Sequence, residues 1–285
     1  MQRYGGEEMK LKDKVALVTG AGSGIGQAIA VAFGHEGAKV AVNDIDQARI
    51  EDTLQFIEQA RAEGLGVKAD VASSQEVKAM FSKIVDRFGT LDILVNNAGI
   101  IKITDKVREK FPQLLQQLAT TGMAKMSIEA TRYLTDEEWQ RMVDIHLYGT
   151  FYCTREALNI MEDKGYGKIV NIASICGLSG ACAGSPDYCA AKGGIIAFTK
   201  AVAQEVIGCG VYVNAIAPGF ITTPGLTAEL PPEILATVVM RTPLGRLGTV
   251  DEITPVAVFL ASDDSSFMVG QVVSPNGGMV VSIGY

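Results

Sequence analysis

The chain predicts a single α/β domain, a doubly wound parallel sheet with helices on both faces. Three observations carry this expectation. Strand-like and helix-like segments alternate from one end to the other with short connections, the pattern of right-handed βαβ units. A glycine-rich turn, Gly20-Ala21-Gly22-Ser23-Gly24-Ile25-Gly26, separates the first strand pattern from the first helix pattern. Hydrophobic residues make up 48% of the 285 positions, and the mean hydropathy is +0.21, as a sheet buried on both faces requires.

The apolar run Lys14-Val15-Ala16-Leu17-Val18-Thr19 is the first strand, and a helical pattern over 24–36 follows the glycine turn. Strand–turn–helix is the geometry that receives a pyrophosphate. Glycines let backbone approach phosphate, and the helix N-terminus supplies unpaired N–H groups and a positive dipole end. The cofactor candidates here are Gly20, Ser23, Gly24, Ile25 and Gly26. The next strand, 38–43, ends at Asp44, roughly 20 residues beyond the turn, where an acid accepts hydrogen bonds from both ribose hydroxyls of an adenosine and repels a 2′-phosphate. No Arg or Lys occupies the turn or the positions right after Asp44, Arg49 being the first, so NAD is expected rather than NADP. Asp44 also suits a plain turn before the next helix.

Further strands are expected at 65–69, 92–95, 168–173, 211–216 and 270–274, and helices near 46–63, 74–88, 136–163, 187–208 and 250–261. Two stretches interrupt the alternation. Residues 102–134 hold Phe111, Leu114, Leu115 and Leu118 at helical spacing, which predicts an amphipathic helix near 106–120. Residues 222–246 carry Pro224, Pro231, Pro232 and Pro243 around a helical scrap at 232–240. Both follow C-terminal strand ends, where open α/β sheets bind ligands. The second is expected to enclose substrate; the first serves substrate, an oligomer contact or neither. Residues 1–9 are polar and read as a disordered leader, leaving 10–285 as the catalytic domain.

Ser174 and the set Tyr188-Cys189-Ala190-Ala191-Lys192 supply the candidate chemistry. Residues i and i+4 share a helix face. An ammonium beside a phenol favours the phenolate, so Tyr188 is expected to serve as an acid/base near neutrality, with the Ser174 hydroxyl holding the substrate oxygen. Taken alone, Tyr-x-x-x-Lys also suits an ordinary half-exposed helix.

A net charge of −7 and a pI near 5 argue against nucleic-acid or anionic-membrane partners. No run approaches the ~20 apolar residues of a membrane span. Cys153, Cys176, Cys182, Cys189 and Cys209 show no metal-type spacing, and with two histidines no metal site is expected. Five reduced thiols in a cytoplasmic protein are the simplest reading.

The glycine turn, Asn96-Asn97-Ala98-Gly99 after the fourth strand, and the Ser/Tyr/Lys set together resemble the short-chain dehydrogenase/reductase family over about residues 10–278. The resemblance implies a single Rossmann-type domain with a seven-stranded sheet, a homotetramer and a nicotinamide cofactor. It implies that Asp70 and Val71 flank the adenine, that Asn97 lies near the adenosine ribose, and that Pro218, Gly219, Ile221 and Thr223 face the nicotinamide. Lys192 would lower the Tyr188 pKa and bind the ribose. One departure stands out: His146 occupies a position where the family usually has an asparagine that holds a relay water. A histidine can both donate and accept, so it could keep that relay, or only brace a helix bend. The implied activity is reversible hydride transfer between NAD(H) and a secondary alcohol or ketone. A 3-hydroxyacyl or 3-oxoacyl thioester is the alternative substrate, and a catalytically silent NAD-binding subunit the non-enzymatic one. The substrate pocket is expected from Ile100, Ile175, Leu178, Ala181, Phe220 and the 222–246 segment, with a basic rim of Lys102, Lys106 and Arg108.

Overall fold

The computed structural model describes residues 9–123, 125–180, 182 and 184–281. The expected leader lies outside these residues except for Met9, and so does Ala181. All seven strands run parallel in one sheet ordered β3-β2-β1-β4-β5-β6-β7. They are β1 Val15–Val18, β2 Lys39–Asp44, β3 Gly64–Lys68, β4 Ile93–Asn96, β5 Gly167–Ile172, β6 Val211–Ile216 and β7 Val272–Val273. The chain winds outward from β1 to β3, then crosses back to place β4 beside β1. The C-terminal ends of β1 and β4 therefore diverge at a switch point, and a crevice opens there.

The helices are α1 Gly24–His35, α2 Gln47–Gln59, α3 Ser74–Phe88, α4 Asp105–Thr121, α5 Ala130–Tyr133, α6 Asp136–Val143, α7 Gly149–Lys164, α8 Ile175–Ser179, α9 Pro186–Val206, α10 Pro224–Glu229, α11 Pro232–Arg241 and α12 Thr254–Ala261. Ile29 and Phe33 of α1, Ile50 and Ile57 of α2 and Leu260 of α12 bury one sheet face. Met80 and Phe81 of α3, Ala157 of α7 and Val202 of α9 bury the other. Among the described residues no helix is long and apolar enough to cross a membrane.

The sequence reading merged 136–163 into one helix, whereas α6 and α7 are separated by a π-helical turn, Asp144–Tyr148. Gly149 N donates to Asp144 O, an i→i−5 bond, and the hydroxyl of Thr150 takes the carbonyl of His146. Such a bulge re-aims one side chain without breaking the helix, here His146.

A buried polar ladder ties the sheet's C-terminal half to α7 and α9. Asn96 donates to Thr154 Oγ1 at 3.1 Å and to Asn171 Oδ1 at 2.8 Å, and Asn171 donates to Thr199 Oγ1 at 2.9 Å. These side chains are nearly free of solvent contact, so each bond replaces one that water would otherwise make. Close packing sets α8 on α9: a Cβ at Gly177 would sit 2.6 Å from the Lys192 backbone carbon. Gly177→Ala should therefore push the two helices apart and destabilise the fold by about 1–3 kcal/mol in a urea titration.

Candidate active site

The glycine turn works because nothing larger fits. Gly20 and Gly24 have φ of +60° and +58°, a region side chains avoid. A Cβ at Gly26 would fall 2.3 Å from Asn97 Nδ2 and 2.4 Å from Gly20 O. Asn97 clamps the turn from β4: its amide donates to Thr19 O at 2.9 Å and Gly20 O at 3.0 Å, while its backbone N–H meets Thr19 Oγ1. Asn97 thus braces the turn, while its neighbour Asn96 braces the central strands through Asn171. The Asn97 amide faces the turn, and the residue lines the crevice as well.

At the end of β2, Asp44 Oδ2 accepts from Gly22 N at 3.0 Å and Oδ1 from Asp46 N at 3.1 Å. The carboxylate is aimed at the glycine turn, where a ribose on a pyrophosphate bound at α1 would lie. Arg49 packs against Gly22 and lines the same crevice, with Nε turned 3.5 Å from Asp46 Oδ2. Asp70 accepts both Nη atoms of Arg141 from α6, at 3.2 and 3.3 Å. Sequence reasoning missed Arg141, because a pair 71 positions apart leaves no mark in local spacing. Val71 packs against Gly149 and lines the crevice, so its packing and cavity roles coexist.

Ser174 follows β5 and caps α8, its hydroxyl accepting from Cys176 N at 3.1 Å. Tyr188 and Lys192 sit one turn apart on α9, and both line the same cavity, of about 810 Å³, that contains Ser174, Gly20 and Asp44. Lys192 Nζ donates to Ile172 O at 2.6 Å and lies 5.7 Å from the centre of the Tyr188 ring. Burial pushes the phenol up to about 12, against the Ser174 hydroxyl beside it, which favours the phenolate. Burial likewise pushes Lys192 down to about 7. In the protein alone, burial thus opposes the phenolate expected of Tyr188 near neutrality. A low-dielectric site disfavours both charged forms, and the amine spends its shortest bond on a backbone carbonyl.

His146 is buried, its ring edge against Tyr188 with centroids 5.3 Å apart. Burial holds its pKa well below the ordinary histidine value, with the Lys192 charge acting the same way, so the ring is neutral at pH 7. Nε2 lies 3.0 Å from Ile100 N and 2.9 Å from Ile100 O. A neutral ring can satisfy either group: it accepts the N–H with the proton on Nδ1, or donates to the C=O with Nδ1 bare. Nδ1 is buried and has no hydrogen-bond partner. Gly99 permits this arrangement, since a Cβ there would meet the ring at 2.3 Å.

On the nicotinamide side, Pro218 O accepts from Ile175 N at 3.1 Å, and Gly219 N donates to Pro275 O at 3.0 Å. Ile221 pairs with Gly248, and Thr223 caps α10 by accepting from Leu226 N at 3.2 Å. All four of Pro218, Gly219, Ile221 and Thr223 line the cavity, as do Ser23 and Ile25.

Three expectations about the surroundings are corrected. Leu178 lines a separate surface cavity, because the turn of α8 carries it outward, while Ile100, Ile175 and Phe220 do line the site. The basic rim is neutralised: Lys102 pairs with Glu138, Lys106 with Glu109, and Arg108 with Glu229. Cys176 and Cys182 form a disulfide, not two reduced thiols, because Gly180 at φ +64° folds the chain back and brings their Cα atoms to 5.4 Å.

The buried amine makes stability depend on pH. Lys192 holds its proton below about 7 in the fold and below 10.5 in the unfolded chain. Between those values the unfolded chain binds more protons, so the penalty of burying the amine fades as pH rises. Relative to Lys192→Met, the wild type should gain at most about 1.4 kcal/mol per pH unit across that window. Thermal melts from pH 7 upward check this.

Comparison with known proteins agrees with this geometry. A family model described as short chain dehydrogenase matches residues 14–233. The 3-oxoacyl-[acyl-carrier-protein] reductase FabG of Thermotoga maritima is 37% identical, covering 96% of this chain and 100% of the relative. The (2S)-[(R)-hydroxy(phenyl)methyl]succinyl-CoA dehydrogenase subunit BbsD of Thauera aromatica is 36% identical, covering 95% of this chain and 98% of the relative. A short-chain type dehydrogenase/reductase from Mycobacterium marinum superposes with a TM-score of 0.80 at 28% identity, covering 96% of this chain and 98% of that one. Levodione reductase gives 0.82 at 33% identity, covering 94% and 98%. With the family model, the relatives and the fold in agreement along its length, the chain belongs to the short-chain dehydrogenase family of oxidoreductases.

Proposed function

We propose that this protein interconverts a secondary alcohol and a ketone with NAD(H), using Tyr188 as the acid/base. The observation that carries the reading is that Ser174, Tyr188 and Lys192 share one cavity with the glycine turn and Asp44. The residues fit a dinucleotide: Gly20, Ser23, Gly24, Ile25 and Gly26 would hold its pyrophosphate, Asp44 its adenosine ribose, and Asp70, Val71 and Asn97 the adenine side. Lys192 with Pro218, Gly219, Ile221 and Thr223 would hold the nicotinamide end. When bound, the nicotinamide ring accepts or donates hydride and, oxidised, adds a positive charge beside the phenol.

Ser174 and Tyr188 hydrogen-bond the substrate oxygen. In the oxidative direction Tyr188 Oη takes the hydroxyl proton; in the reductive direction it returns one. That positive charge, with the Ser174 hydroxyl, opposes the burial that raises the phenol, so proton transfer comes within reach of neutral pH. His146 would act as a brace on the Tyr188–Lys192 side: Nε2 meets only the Ile100 backbone, which takes no proton, so the ring orients its neighbours and carries no proton through.

A second reading, oxidoreduction of a 3-hydroxyacyl or 3-oxoacyl thioester, is favoured by the relatives, one named for a 3-oxoacyl carrier-protein substrate and one for a hydroxy-substituted CoA thioester. A catalytically silent subunit is the least supported, because the Ser/Tyr/Lys set is whole. The homotetramer implied by the family resemblance remains part of the proposal. Exposed Tyr148 and Phe151 near the start of α7 support it, and light scattering on the isolated chain tests it.

Tyr188→Phe should lower kcat by about 10²-fold or more, with NADH binding nearly intact by fluorescence titration; retained turnover would sink the Tyr188 assignment. Asp44→Ala should shrink the ratio of kcat/KM for NAD over NADP by about tenfold. It removes the ribose acceptor and the charge that repels a 2′-phosphate while Arg49 stays beside the turn. An unchanged ratio would mean that Asp44 does not read the ribose.

A further inference from the structure

The inserted helix α4 reaches the reacting centre. Its Val107, Phe111, Leu114 and Leu115 line the same cavity as Ser174 and Tyr188. Opposite, Leu226 and Leu230 of the α10 segment and Ile234 and Val238 of α11 form one buried cluster, with Phe111 and Phe220 packed against it. The two walls are fastened together. Arg108 Nη2 lies 2.5 Å from Glu229 Oε2, joining α4 to α10, and its Nε donates to Ile103 O at 3.3 Å. Lys110 and Arg132 both pair with Glu129, joining α4 to α5.

The pairing of α4's basic residues decides what this compartment accepts. Lys106, Arg108 and Lys110 are each matched to a carboxylate, so the helix turns apolar side chains to the cavity and leaves no unpaired cation along that wall. Beside α4 a charged or strongly hydrated group would lose water without gaining a partner; the cation the opposite wall does offer, Arg241, stands at the end of α11. An apolar group would exchange water for Phe111, Leu114, Leu115 and the α10–α11 cluster.

We infer that α4 and α10–α11 form a binding subsite for a large hydrocarbon arm of the substrate, extending from the carbinol carbon at Ser174 and Tyr188. The arm is a long alkyl chain or a fused hydrocarbon ring, and α4 is the wall that selects it. The inference rests on the alcohol–ketone reading above. It covers an arm carried by a free alcohol and one carried as the acyl chain of a thioester.

Two series test it with NAD: 2-alkanols from butanol to decanol, and N-acetylcysteamine thioesters of 3-hydroxyacids over the same lengths. In one or both, kcat/KM should climb about three- to fourfold per added methylene until the compartment fills. A climb in the alkanols alone assigns the arm to a free alcohol, and one in the thioesters alone to an acyl chain. In Phe111→Asp the decanol-to-butanol ratio of kcat/KM, or its thioester counterpart, should fall at least tenfold. Leu114→Asn reads the same ratio should the first variant not fold. Turnover with a flat or falling profile in both series overturns the subsite and leaves the alcohol–ketone reading standing. A readout without turnover separates the two ideas: 2-tridecanone should displace Nile red from the wild type and do so at least tenfold more weakly in the variant. Displacement without turnover of any substrate keeps the subsite and sinks the redox reading; no displacement from the wild type sinks the subsite.

Discussion

The bond from Lys192 Nζ to the carbonyl of Ile172 joins the strand that leads into Ser174 to the helix that carries Tyr188. It is short, at 2.6 Å, and closed to solvent, so it fixes α9 against the end of β5 more firmly than an exposed pair would. Two residues beyond Ile172 the chain turns at Ser174; one helical turn before Lys192 stands Tyr188. The three reactive groups are therefore positioned by one anchor point. The same burial that makes the anchor firm disfavours charge on both amine and phenol.

Around that anchor, the C-terminal edge of the sheet is organised by side-chain amides. Asn96 and Asn171 sit side by side in adjacent strands and carry hydrogen bonds to Thr154 on α7 and Thr199 on α9, both packed on the same sheet face. Asn97, the next residue, turns the other way and clamps the glycine turn. Two residues on, Gly99 admits the His146 ring against the backbone of Ile100. A run of four residues thus couples the glycine turn, the central strands and the π-helical turn. These joints are made by neutral amides and backbone groups, so none of them needs a charge.

The substrate side follows a different logic. There the chain surrounds the candidate site with two added walls, α4 and α10–α11; the basic residues of α4 are matched by carboxylates, so what α4 turns inward is hydrocarbon, with Arg241 at the far end of α11. The cofactor side is polar backbone and amide, and the substrate side apolar side chain. That division suits one chemistry with a selectable partner.

Much of this was legible along the chain. Strand positions hold to within about two residues for all seven strands, because buried parallel strands are short apolar runs bounded by glycine or polar residues. The glycine turn, Asp44, Ser174, Tyr188 and Lys192 were legible because local geometry, a tight turn or a single helix face, sets what they do. Tertiary structure alone decided the rest. It set Arg141 on Asp70, Arg108 on Glu229 and Cys176 on Cys182, turned Leu178 away from the site, and split one expected helix at a π-turn to aim His146. It also showed burial outweighing the Ser174 hydroxyl at Tyr188. Spacing in a sequence reports which residues share an element; it carries no record of solvent exclusion or of contacts between distant elements, and those are what set charge and partner here.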